Sequence, residues 1–280
     1  MSRHFQLVDV FHDGPFSGNP LAVVLDAEGL APEEMQRIAR WLNLSETAFL
    51  LPPTTGDADY RVRIFTLQRE LPFAGHPTLG SCHAWLAAGG MPRSADEIVQ
   101  ECGVGLVPVR RREGLLAFAA PPLVRSGPID EPTFRTIETV LRIDRSRIVD
   151  AQWADNGPGW VVVLLESAEE VLALNPLSQF PTRVDIGVVG PYPLGSPVAF
   201  ELRAFFSDHK GGIVEDPVTG SLNASAAQWL LSSGRARAPY VASQGTRLGR
   251  AGRVYIDQDR DGSVWVGGKT TTYFAGECLL

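Results

Sequence analysis

The stretch Gly80-Ser81-Cys82-His83-Ala84-Trp85-Leu86-Ala87-Ala88-Gly89-Gly90 returns, altered, as Ala224-Ser225-Ala226-Ala227-Gln228-Trp229-Leu230-Leu231-Ser232-Ser233-Gly234. Trp85 matches Trp229, Leu86 matches Leu230 and Gly90 matches Gly234 at one constant separation. Each stretch reads as an apolar helix that ends at glycine. Each is entered through a glycine turn, Gly75-His76-Pro77 in the first case and Gly220-Ser221 in the second. Further upstream the parallel continues. Gly18-Asn19-Pro20 leads into a short apolar strand over 21–25 and a helix opening at Pro32-Glu33-Glu34. Asn156-Gly157-Pro158 leads into the strand Trp160-Val161-Val162-Val163-Leu164-Leu165 and a short helix opened by acidic residues 166–170. The chain therefore reads as two copies of one α+β unit, with the copy starting near residue 120.

Other elements fit this frame. Residues 5–10 alternate apolar and polar as a strand does. The helix opening at Pro32 has proline and carboxylates in its first turn and an apolar face of Met35, Ile38, Ala39 and Leu42. Residues 46–51 and 61–65 read as strands, the first stopped by Pro52-Pro53. The spacing predicts a helix over 77–88, a hairpin over 104–109 and 115–119, and a strand over 198–206. Strands over 253–256, 264–266 and 271–274 close the second sheet or return to the first.

Composition narrows the function classes. The chain has 280 residues, 44% hydrophobic and 20% charged, ordinary for a soluble globular protein with a sizeable core. A formal net charge of -7 with no basic block argues against nucleic acid as a partner. The run Arg110-Arg111-Arg112 is followed by Glu113 and reads as a solvated strand end. There is no signal-peptide h-region and no apolar run long enough to span a bilayer, so no membrane partner is expected. Cys82, Cys102 and Cys278 are odd in number and irregularly spaced, which points to a reducing cytoplasm. There the tripeptides at Asn43 and Asn223 carry no glycan. The histidines His4, His12, His76, His83 and His209 are dispersed, without zinc spacing. No P-loop, dinucleotide fingerprint or GxSxG elbow occurs. The two lysines, Lys210 and Lys269, lie among glycines and not in a Schiff-base context. With no metal and no cofactor motif, the expected cofactor is none, and proton transfer by side chains remains.

Two stretches can carry that chemistry. Glu70-Leu71-Pro72-Phe73-Ala74-Gly75-His76-Pro77-Thr78-Leu79-Gly80 is a turn feeding a helix, whose first-turn amides and partial positive charge suit a carboxylate or phosphate. Gly211-Gly212-Ile213-Val214-Glu215-Asp216-Pro217-Val218-Thr219-Gly220-Ser221 repeats the arrangement, with Thr219, Gly220 and Ser221 at the helix start. Taken alone, each also reads as a plain capped helix start, and Glu215-Asp216 as solvated turn carboxylates. The repeat places the two turns at equivalent positions, able to face one small anionic metabolite in a cleft between lobes. Glu46 is the lone carboxylate in Trp41-Leu42-Asn43-Leu44-Ser45-Glu46-Thr47-Ala48-Phe49-Leu50-Leu51. Either it points outward from a half-buried strand or it lines that cleft.

Gly18-Asn19-Pro20-Leu21-Ala22-Val23-Val24-Leu25, Asn43-Leu44-Ser45-Glu46-Thr47-Ala48-Phe49, Glu70-Leu71-Pro72-Phe73-Ala74-Gly75-His76-Pro77-Thr78 and Glu215-Asp216-Pro217-Val218-Thr219-Gly220-Ser221, in that order, resemble the signatures of the PhzF-like phenazine-biosynthesis family. The resemblance implies a diaminopimelate epimerase-like fold: two pseudo-symmetric lobes, each a mostly antiparallel sheet wrapped around a central helix. The implied lobes are residues 1–118 with about 272–280, and 119–271, in a protein commonly found as a homodimer. The resemblance assigns the proton shuttle to Glu46 and places Asn19, Ser45, Gly75, His76, Asp216, Gly220 and Ser221 around the ligand. His76 and Asp216 would orient substituents and assist proton movement. An apolar wall of the kind Leu44 and Phe49 supply would raise the Glu46 pKa.

Related epimerases use one cysteine per lobe. Here neither glycine turn holds a cysteine, and Cys82 lies inside a helix expected to be buried. Phe65-Thr66-Leu67, Phe205-Phe206-Ser207-Asp208 and Leu222 depart from the family pattern. They are expected near the pocket rim and the second helix start, where they bear on substrate identity. The leading reading is a cofactor-independent isomerase of a small carboxylate. An epimerase or lyase on the same scaffold, and a small-molecule-binding homologue without turnover, stay open.

Overall fold

The computed structural model describes residues 2–208 and 210–280; His209 lies outside the described residues. The chain forms two compact units, one of residues up to Ala119 together with Gly267–Leu280, the other of Ala120–Val266. In the first unit the order is β1 (Ser2–Val10), β2 (Asn19–Val24), α1 (Pro32–Leu42), β3 (Thr47–Leu51), β4 (Tyr60–Phe65), β5 (Glu70–Leu71), α2 (Gly75–Ala87), β6 (Glu97–Cys102), β7 (Gly105–Arg112) and β8 (Leu115–Ala119). The second unit runs β9 (Arg125–Pro128), α3 (Glu131–Leu141), β10 (Ile148–Asp155), β11 (Val161–Leu165), α4 (Ala168–Ala173), β12 (Asp185–Pro191), β13 (Phe200–Ser207), β14 (Ile213–Asp216), α5 (Gly220–Ser232), β15 (Tyr240–Gln244) and β16 (Gly252–Gln258). Strand β17 (Val264–Gly268) leads back to the first unit, where β18 (Thr270–Leu279) pairs antiparallel with β1 from end to end.

The repeat is visible in strand pairing. In the first unit β1–β2 is antiparallel, β2–β3 parallel, β3–β4 and β4–β5 antiparallel, β4–β6 parallel and β6–β7 antiparallel. In the second, β10–β11, β11–β12, β12–β13, β13–β14, β13–β15 and β15–β16 follow the same sequence of senses. Strand β9 pairs antiparallel with β10 as β18 does with β1. Helix α3 is the addition. Asp130 caps it by accepting from the Thr133 amide, and Pro132 sits in its first turn. Local periodicity announces neither α3 nor β12, nor strands β6, β9, β10 and β15. The glycines of Asp185-Ile186-Gly187-Val188-Val189-Gly190 break the apolar run that announces a strand.

Each unit packs its sheet around one helix. Helices α2 and α5 are buried over most of their circumference, as their lack of a polar face requires. A Cβ at Gly80 in α2 would lie 2.5 Å from the Leu21 side chain, so glycine lets the helix settle against β2. Helix α1 lies on the other side of its sheet, with Met35 and Ala39 packed against Val24, Ala27, Phe49 and Phe65. It ends where Asn43 adopts a left-handed conformation. Among the described residues no helix is long and apolar enough to cross a membrane.

Three side-chain devices recur in the two units, beyond the helix match. Asp9, on β1, accepts the amides of Ser17 and Gly18; Asp155, on β10, accepts those of Gly157 and Gly159. Each pins the glycine loop that enters the next strand. Arg63 on β4 makes a bidentate pair with Glu70 on β5, over the Phe65 ring; Arg203 on β13 does so with Glu215 on β14, over Phe205. Gln100 on β6 and Gln244 on β15, each fully buried, stand at the same separation as the two tryptophans.

Candidate active site

In the first unit the chain leaves α1 through Asn43, bends over Leu44 and Ser45, and presents Glu46 immediately before β3. The strand begins at Thr47, one residue later than the periodicity suggests. Thr47 is tied to Ala22 of β2 and Phe65 of β4. Helix α2 begins at Gly75, two residues ahead of the expected 77, so Gly75 and His76 lie within its first turn. Pro77 is the third helical residue, where an amide has no intrahelical partner to lose. The result is a contact that sequence distance conceals: His76 Nδ1 stands 3.2 Å from Glu46 Oε2. Glu46 retains 18% side-chain exposure, whereas His76 has 4%. His76 Nε2 is buried with no protein hydrogen-bond partner. In the tautomer that carries its proton on Nδ1, toward the carboxylate, Nε2 is an acceptor for a ligand N–H or O–H.

The expected apolar wall is corrected at Phe49. Its ring is buried in the α1 cluster, where it meets Phe65 edge-on at 5.5 Å. Leu44 is half-buried. Ser45 is likewise half-buried, and Asn19 is buried at the start of β2 opposite Val10.

In the second unit Asp216 ends β14, so Glu215 and Asp216 belong to a strand and not to a solvated turn. Glu215 faces Arg203, and both are largely buried. The Thr219 hydroxyl donates to Asp216 Oδ2 at 2.7 Å. Gly220 and Ser221 form the first turn of α5. Ser221 Oγ accepts the Trp160 indole N–H at 3.0 Å, and its carbonyl accepts Asn156 Nδ2 at 2.9 Å. Leu222 lies in the first turn of α5, at the second helix start as expected, and is buried over Gly187 of β12, where an added Cβ would fall 2.1 Å from Leu222 Cδ1. The sheet behind the helix accommodates this departure from the family pattern.

Sequence reading missed Asn156, Trp160, Gln100 and Gln244. The signals were in the repeat: Asn156 and Trp160 lie in the stretch that matches Gly18-Asn19-Pro20 and its strand, and the glutamines share the separation of the tryptophans. Cys82 is fully buried, and burial pushes its thiol up to about 12, which withdraws it from acid–base work near neutrality. Among the described residues no three His, Cys, Asp or Glu side chains gather as a metal site.

A family profile described as "Phenazine biosynthesis-like protein" matches residues 8–276. "Antisense-enhancing sequence 1" of Schizosaccharomyces pombe is 36% identical, covering 100% of both chains. The trans-2,3-dihydro-3-hydroxyanthranilate isomerase of Pseudomonas aeruginosa is 33% identical over 99% of this chain and 100% of its own. A crystal structure of a PhzF-family protein from Enterococcus faecalis superposes with a TM-score of 0.80 at 26% identity, covering 100% of each chain.

Proposed function

This chain belongs to the phenazine biosynthesis-like family and is an isomerase; from that premise we propose that it moves a proton within a small carboxylate-bearing metabolite, using Glu46 as the single acid–base and no cofactor. The observation that carries the reading is the partly exposed Glu46 carboxylate beside buried His76 in the first turn of α2. Glu46 as carboxylate takes a proton from a carbon next to a conjugated system. The released electron pair delocalises into that system, and the Glu46 carboxylic acid returns the proton to a different carbon. No electrons are gained or lost overall, so no redox partner is needed.

His76 Nδ1–H fixes the carboxylate that accepts the proton, and Nε2 accepts from a substrate hydroxyl or amine. First-turn amides at Gly75 and His76 hold negative charge on the substrate. In the second unit, Asp216 orients substituents, and the first-turn amides at Gly220 and Ser221 serve as a further anion-receptive group. Asn19 and Ser45 contribute polar contacts beside Glu46.

The relative's activity suggests a cyclic, conjugated hydroxy-amino carboxylate as substrate class. Trans-2,3-dihydro-3-hydroxyanthranilate is therefore the first probe. In heavy water the wild-type protein is expected to return product carrying deuterium at carbon. Glu46→Gln, which keeps the shape beside His76, is expected to lower exchange by about 10²–10⁴-fold. A folded Glu46→Gln protein that exchanges as fast as wild type overturns the assignment. Wild type that binds the probe but neither converts it to an isomer nor exchanges its carbon-bound hydrogen moves the reading to a binding protein.

A further inference from the structure

The Gln244 side chain is fully buried, and all of its hydrogen-bonding capacity is directed at one turn. Its Oε1 accepts from the Thr219 amide at 3.0 Å and from Asn223 Nδ2 at 2.8 Å. Its Nε2 donates to the Asp216 carbonyl at 3.2 Å and to Thr219 Oγ1 at 2.9 Å. An amide offers two acceptor sites and two donor hydrogens, so the set is complete. Asn223 adds a bond to the Thr219 carbonyl at 2.9 Å.

The proton inventory gives this arrangement a direction. A hydroxyl has one hydrogen. Because Gln244 already donates to Thr219 Oγ1, that hydrogen has to go elsewhere, and the acceptor at 2.7 Å is Asp216 Oδ2. An ionised carboxylate only accepts, but a glutamine that could rotate its amide would let a protonated Asp216 donate to Thr219 Oγ1 instead. The Thr219 and Asn223 donors on Oε1 prevent that rotation, since a flipped amide would point N–H at N–H. The first unit runs the same device to a different end. Gln100 Oε1 accepts from the Tyr60 hydroxyl at 3.0 Å and Nε2 donates to Thr78 Oγ1 at 3.0 Å, which sends the Thr78 proton to the Ala74 carbonyl at 2.9 Å, at the start of α2.

We propose that Gln244 is a positioning residue for the reaction: acting through Thr219, it holds Asp216 as a hydrogen-bond-accepting carboxylate with its plane fixed for substrate. The proposal rests on the role given to Asp216 above. Its orienting part is measurable without a substrate, so its failure is separable from failure of the Glu46 reading.

The test is the titration of Asp216 in the intact chain, followed by carbon-13 NMR of the side-chain carboxyl. Losing a donated hydrogen bond raises a carboxyl pKa. Gln244→Met keeps the Thr219 hydroxyl but frees its oxygen to accept from a protonated Asp216 carboxyl, which favours the neutral form and is expected to move the Asp216 midpoint upward by about one unit. Gln244→Glu is isosteric but offers an acceptor where Thr219 Oγ1 now receives a proton. Its expected shift is at least as large, because the hydroxyl turns away from Asp216. Thr219→Val should reproduce the shift and Thr219→Ser should not. With the heavy-water assay, Gln244→Met is expected to lower kcat more than it raises KM, a split that mere loosening of the fold would not give. A folded Gln244→Met or Gln244→Glu protein in which Asp216 titrates as in wild type overturns the proposal. If Gln244→Met fails to fold, the isosteric variant makes the same measurement. If only Glu46→Gln disappoints while Asp216 shifts, the shuttle assignment falls and the positioning role stands.

Discussion

Glu46 and Cys82 are two acids of the first unit in opposite surroundings. Glu46 keeps a solvent-reachable edge and has a buried histidine beside it, whereas Cys82 has no exposed surface at all. A thiol raised to about 12 is almost wholly protonated near neutral pH and out of reach of reagents. Brief treatment of the native protein with iodoacetamide, read by peptide mass mapping, is therefore expected to label Cys102 and Cys278 well before Cys82. Labelling of Cys82 at an equal rate would contradict its burial. Replacing Cys82 with alanine is expected to leave isotope exchange intact while costing about 1–2 kcal/mol of stability, since the cavity is small. That Cys82 would be buried was legible from the apolar helix around it. That Glu46 would meet His76 was not, because thirty residues of loop, strand and turn separate them and nothing local encodes the contact.

At the scale of elements, the repeated devices allow one interaction to be compared in two environments. Arg63–Glu70 and Arg203–Glu215 have the same bidentate geometry. The first pair is partly exposed, and the second is buried, with Arg203 also donating to the Val171 and Leu174 carbonyls at the end of α4. Water screens the first pair and competes for its partners; in the second, the two carbonyls bind Arg203 but supply no counter-charge if Glu215 is neutralised. Glu70→Gln is expected to cost under about 1 kcal/mol. Glu215→Gln is expected to cost about 3–5 kcal/mol, because it leaves a buried guanidinium without its counter-charge. Denaturant midpoints of the two variants decide this, and equal losses would refute it. The contact between α5 and β12 makes a second element-level case. Gly187→Ala is expected to cost about 1–3 kcal/mol by overpacking Leu222. Gly187→Ala with Leu222→Ala should recover part of that loss, a non-additivity visible in a double-mutant cycle.

Across the whole chain, the return of β18 to β1 is held partly by histidines. His12 Nε2 bonds Thr271 Oγ1 at 2.8 Å, and His83 Nε2 bonds Thr272 Oγ1 at 3.1 Å, while Thr272 donates to Gln6 at 2.7 Å. Burial holds both imidazoles below their ordinary value of 6.5. The unfolded chain therefore takes up these protons first as pH falls. Stability from this source is constant above about pH 6.5, declines below it, and levels off once the folded-state values are passed. Urea midpoints at pH 7.5 and 5.5 should show the loss, and a His12→Gln, His83→Gln double variant should flatten it. The sequence by itself determined the duplicated α+β plan, the two apolar helices, the glycine turns that open them and the absence of a thiol in either turn. Those properties are written in local periodicity and in residues whose conformational limits act within a turn. Tertiary structure alone decided which charged pair is buried, where Phe49 and Leu222 point, that Glu46 and His76 meet, and that Gln244 commands the Thr219 proton. Each of these depends on burial and on contacts between residues far apart in the chain, and neither is a property of any short segment.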